Sequence, residues 1–199
     1  MNQQNFQQVI SLIDAVNSED PNKETAENKQ WPKEYLYSLR MSEMLARFKA
    51  DADELLKIAV RGQHIQRWKS PRSDYPMGKQ GYYQWRTSLY TFHADSVADL
   101  MTEAGYDENA VERVKNAVGK KAIKMNPDSQ LVEDIASLVF IEHYMLDFAQ
   151  KHPEYPEDKW IGIILKTWKK MSADAQAFTL AGKIQLPVPL LPLIHKAIG

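Results

Sequence analysis

An all-α fold of about seven helices is what this sequence predicts, and three observations predict it. Apolar residues recur at three- and four-residue spacing through most of the chain, no stretch alternates apolar and polar residues as a half-buried strand does, and proline or glycine punctuates the periodic runs. Phe6, Val9, Ile10, Ile13 and Val16 set the first amphipathic helix. Residues 17–33 are polar, hold two prolines and read as a long loop. Tyr35, Leu36, Leu39, Met44, Leu45 and Phe48 mark a second helix. The third runs from about Ala52 to Trp68 with Leu55, Leu56, Ala59 and Ile65 inward. It stops at SPRSDYPMG, because proline lacks an amide donor and restricts the residue before it.

Tyr82 to Ala104 forms the long fourth helix, which Gly105 closes, and Asp107 caps a fifth that ends near Val118. KKAIKMNPDSQ is a loop, Leu131 to Lys151 the strongly apolar sixth helix, and Asp158 to Met171 the seventh. LPVPLLPLIHKAIG reads as a proline-spaced apolar tail packed across the domain.

At 199 residues the chain has room for one domain with a sizeable core. Hydrophobic residues are 44% and charged residues 26%, ordinary for a globular protein. The absence of cysteine excludes disulfides, thiolate metal sites and a cysteine nucleophile. The first residues carry neither a basic stretch nor an apolar run, and nothing approaches the roughly 18 apolar residues of a membrane span. A soluble, cytoplasmic protein without membrane contact is expected, and a homo-oligomer is compatible with it.

A net charge of −1 argues against general nucleic-acid coating. Its distribution is uneven: Lys57, Arg61, Arg67, Lys69, Arg72, Lys79 and Arg86 face only Asp74 between residues 57 and 86. A basic segment in a mildly acidic chain suggests a small anionic ligand, and the other reading is a solvated face. Trp68, Tyr82, Tyr83 and Trp85, set among these cations, either stack on a base or pack between helices.

Three ionisable side chains fall on apolar stripes. His93 sits between Leu89 and Val97, Asp134 between Leu131 and Leu138, and His64 follows Val60 above the small residues Ala59 and Gly62. His64, His93 and Asp134 brought together would suit one divalent metal ion, zinc, manganese or iron, although no HExxH pairing marks the site. The alternative, equally tenable for the cofactor, is no metal: each imidazole is a hydrogen-bonded core group and Asp134 pairs with a cation.

The motifs QHIQRW, PRSDYPM, GYYQWR, FHAD, GYDENAVERV, LVEDIASLVFIEHY and KTWKKMS resemble the domain-of-unknown-function 4202 family of bacterial and fungal proteins, over nearly the whole chain. More distantly the chain is similar to the HD superfamily of helical metal-dependent phosphohydrolases. That resemblance implies a single HD-like helical domain: N-terminal helices over 1–50, an HD-like core over 51–150, and a C-terminal helix and tail over 151–199. It makes His64 the histidine of the His-Asp doublet and Asp134 the final ligand. Ile65 replaces the doublet's aspartate, Tyr37, three residues before Arg40, stands where the first-helix histidine falls, and Lys120 or Lys121 replaces a later histidine.

Together these readings predict a central pocket for a small anionic, phosphorylated molecule, with a nucleotide among the candidates. His64, His93 and Asp134 would line its floor, Arg61, Arg67, Arg72 and Lys120 its mouth, with Tyr37, Arg40 and Glu43 reaching it from the second helix. With a metal present, phosphate-ester hydrolysis follows, and His93 or Glu133 shuttles the proton. Without one, the chain is an anion- or partner-binding module whose cations replace the metal's charge.

Overall fold

The computed structural model describes residues 3–199 and is all-α in class, about 70% helical. The chain forms two compact units, residues 1–132 and 133–199, and the boundary falls inside a helix. Among the described residues no helix is long and apolar enough to cross a membrane.

The first unit opens with α1 (Gln3–Ser18), which buries Val9 and Ile13. The polar stretch after it is not the loop expected but a hairpin, β1 (Lys23–Ala26) and β2 (Lys29–Pro32), antiparallel with Lys23 opposite Pro32. Glu27 and Asn28 turn it with φ of 52° and 59°, the doubly left-handed conformation whose twist matches a two-residue hairpin. Helix α2 (Lys33–Phe48) follows directly. Its first turn receives the buried Asp20, whose Oδ2 accepts from the Glu34 amide at 2.9 Å, so a carboxylate meets the positive end of the helix.

Helix α3 (Glu54–Arg61) is capped by Asp53, which accepts from the Leu56 amide at 2.9 Å. It ends seven residues before the expected Trp68. Gly62 takes the C-cap, and Gln66 is held left-handed at φ 51° by Asn17 Oδ1, which accepts its amide at 3.0 Å. His64 therefore lies on a turn and not on the helix. Short 3-10 turns at Arg67–Lys69 and Arg72–Asp74 lead into α4 (Gly78–Glu103), and Asp107 caps α5 (Glu108–Val118) as expected. Helices α1, α3, α4 and α5 pack on one another around Ile58, Val60, Val97, Met101 and Val114.

The small residues read as permitting close approach do so at Gly62, where an added Cβ would lie 2.4 Å from Val97 Cγ2. Gly62→Ala is expected to cost about 1–3 kcal/mol through overpacking, read as a lower urea midpoint at unchanged slope.

Helix α6 (Pro127–Val139) begins in the first unit and ends in the second. The single helix expected to Lys151 is broken by a π turn at Phe140–Tyr144 before α7 (Met145–Gln150) resumes. Then come α8 (Glu157–Trp168), α9 (Ala173–Leu180) and α10 (Leu191–Ile198). The expected tail thus ends as a helix packed on α8: Pro192 sits in its first turn, where the missing amide donor goes unused.

Candidate functional site

One end of α4 and the turn after α3 enclose a cavity of about 160 Å³ in the first unit. The turn supplies Gln63, His64 and Arg67; α4 supplies Tyr82, Trp85, Arg86, Leu89, Tyr90 and His93; Lys120 closes it from beyond α5. The spacing of α4 explains its share, since positions 82, 86, 89, 90 and 93 lie on one face of a helix.

His93 is buried at 2% exposure. Its Nδ1 lies 2.8 Å from the Ile65 carbonyl, which can only accept, so the ring proton sits on Nδ1. Nε2 is thereby left as a bare acceptor, and no group among the described residues donates to it. Burial, then the neighbouring His64, pushes the imidazole down to about 3, so it is neutral at physiological pH. Gln63, buried at 3% exposure, presents a second acceptor without a donor, its Oε1.

His64 is flanked on all sides. Tyr37 stacks on it with ring centroids 4.2 Å apart, and the His93 ring centroid is 5.7 Å away. Glu34 Oε2 lies 3.6 Å from Nδ1, and Arg67 Nη1 lies 3.1 Å from Nε2. Glu34 is itself buried, which raises its pKa against the lowering pull of Arg67, Lys33 and His93.

The cations of the cavity rest on aromatic rings. The Arg67 guanidinium lies 5.1 Å from the Trp85 ring, and Lys120 Nζ lies 5.8 Å from the Tyr90 ring. Trp85 is itself fixed by its Nε1 donating to the Ser70 carbonyl at 2.8 Å. Arg86 donates from Nε to the Tyr90 hydroxyl at 2.6 Å and from Nη1 to the Tyr82 hydroxyl at 3.4 Å. Its pKa is raised: burial opposes its charge, and the two phenols outweigh that. Neither Arg67 nor Arg86 forms an ion pair with a carboxylate among the described residues.

Of the residues singled out from sequence, His64, His93, Arg67 and Lys120 line this cavity and Tyr37 stands behind His64. Others serve elsewhere. Arg61 is buried in a two-pronged pair with Asp14, and Arg72 donates to the carbonyls of Tyr75 at 2.9 Å and Pro76 at 2.8 Å. Arg40 pairs with Glu24 of the hairpin, and Glu43 is exposed. In the second unit, Asp134 accepts from the Ser172 amide at 2.7 Å and its hydroxyl at 2.6 Å, which anchors the N-terminus of α9. Glu133 faces Lys170 at 3.5 Å. Gln63, Tyr90 and Glu34 belong to the neighbourhood without having been singled out, and Arg86 was read only as one cation of the basic segment.

This donor set fits a divalent ion poorly. His93 Nε2 offers a lone pair, but a guanidinium stands beside the His64 nitrogens, and both Asp134 oxygens are engaged by Ser172. Among the described residues no three His, Asp or Glu side chains are disposed to hold a metal ion.

No curated protein and no solved structure matches the chain. A family profile does, over residues 7–194, which is nearly the whole length. The chain belongs to the family described as Domain of unknown function (DUF4202).

Proposed function

We propose that the first unit binds a small phosphorylated anion in the cavity between α4 and the turn at residues 62–70, with Arg67, Arg86 and Lys120 meeting its charge. One observation carries this reading: two guanidiniums, neither ion-paired with a carboxylate among the described residues, face the same half-open 160 Å³. Glu34 is the carboxyl that Arg67 feels, at a distance and itself buried. Partly desolvated cations so weakly compensated are costly, and an arriving phosphate offsets that cost through forked, charge-assisted hydrogen bonds. The resemblance to HD phosphohydrolases would then be to a site that meets its anion with arginine and lysine in place of an ion. The reading is therefore binding, not metal-assisted hydrolysis.

Calorimetric titration of the full chain with inorganic phosphate, with chelator present, is expected to give a Kd in the roughly micromolar to millimolar range. Arg86→Gln should weaken it about 10- to 100-fold, the worth of a charged hydrogen bond. Lys69→Gln, an exposed cation outside the cavity, should leave it unchanged. Binding that appears only when manganese or zinc is added, or no binding at all, overturns the reading.

A further inference from the structure

Cations account for only part of the cavity's lining. Gln63 and His93 also line it, and each has a buried acceptor, Gln63 Oε1 and His93 Nε2, to which no described residue donates. Leaving such an atom unsatisfied costs about 1–3 kcal/mol, and a native structure that keeps two of them on one small cavity calls for a reason. A fully ionised phosphate cannot supply it, because its oxygens are acceptors and would be repelled by both atoms.

Building on the anion-binding reading, we infer that the ligand is a small hydroxylated phosphate monoester: its phosphate lies against Arg67, Arg86 and Lys120, and its hydroxyls donate to His93 Nε2 and Gln63 Oε1. Hydroxyls fit better than an ammonium, which could also donate to both atoms, because three cations line the same space. Size points the same way. About 160 Å³ holds roughly five waters at ~30 Å³ each, which is room for the phosphate and short carbon chain of a three-carbon ester. The acceptor face is rigid, since the Ile65 carbonyl fixes the His93 tautomer and ring.

The test compares glycerol 3-phosphate, n-propyl phosphate and inorganic phosphate by calorimetry on the full chain. The first two have the same carbon count and charge and differ only in the two hydroxyls. Glycerol 3-phosphate is expected to bind at least about 10-fold tighter than n-propyl phosphate. Gln63→Leu, which swaps an unsatisfied acceptor for an apolar side chain of similar shape, should narrow that ratio mainly by weakening glycerol 3-phosphate. Equal affinity of the two esters in the wild-type chain overturns the hydroxyl assignment while leaving the anion site standing. Failure of all three phosphates to bind overturns both.

Discussion

Arg61→Met is expected to lower the free energy of unfolding by about 3 kcal/mol, towards the lower end of the cost of breaking a buried ion pair. The guanidinium is 8% exposed and ties three helices together. Its Nε and Nη2 donate to the two oxygens of Asp14 on α1 at 2.7 and 2.8 Å, and Nη1 donates to Ser42 Oγ on α2 at 3.2 Å. Methionine keeps the stem's packing and removes the fork, so the measurement isolates the polar loss. Asp14 stays 27% exposed, and water reaching it limits the penalty for losing its partner. Urea unfolding of Arg61→Met, Asp14→Leu and the double variant resolves the pair. The double variant should recover much of the loss, because an apolar contact replaces both charges. A single-variant loss under about 1 kcal/mol would mark the pair as no stronger than a surface one.

The same residue shows where sequence reasoning stops. Arg61 was legible as a cation in a basic segment, yet which carboxylate faces it depends on a chain 47 residues away. Asp134 repeats the point: its place on an apolar stripe correctly announces burial at 3% exposure, but its partner is a serine on another helix. His93 was readable as inward because apolar residues stand four positions to either side. Gln63 and Glu34 were not: a neutral amide carries no periodic signature, and an acid in the first turn of a helix ordinarily faces water. Arg86 and Tyr90 sit four apart on α4, and that spacing could have flagged their contact. The hairpin was hidden because Glu27 and Asn28 replace the usual glycine-bearing turn and its strands have no alternating apolar face.

The early end of α3 shapes the site. Continued to Trp68, the helix would carry Gln63, His64 and Arg67 on one face about 100° wide. The turn after Gly62, with Gln66 left-handed, brings the same three residues to the cavity without the helical backbone between them. Asn17, buried at 1% exposure, holds that break by accepting the Gln66 amide. The shape of the cavity thus rests on a side chain that does not line it.

Acid should expose His93. Its folded pKa of about 3 lies below the ordinary 6.5, so the imidazole contributes stability that is fully present above 6.5 and is lost as the pH falls towards 3. Between about pH 7 and about pH 4 that loss amounts to about 3 kcal/mol, at 1.36 kcal/mol per pH unit over the titrating range. Glu34 works in the opposite direction. Its raised pKa makes the folded state favour the protonated carboxyl, so its contribution improves on acidification and offsets part of the loss. Urea unfolding of the wild type and of His93→Gln across this window separates His93 from the carboxylates that titrate there. The wild type should lose stability more steeply than the variant, with the difference growing from about pH 6.5 downward. Parallel curves would mean that the imidazole takes up its proton without cost and that Nε2 is not a bare acceptor, which removes the basis for a hydroxyl donor opposite it.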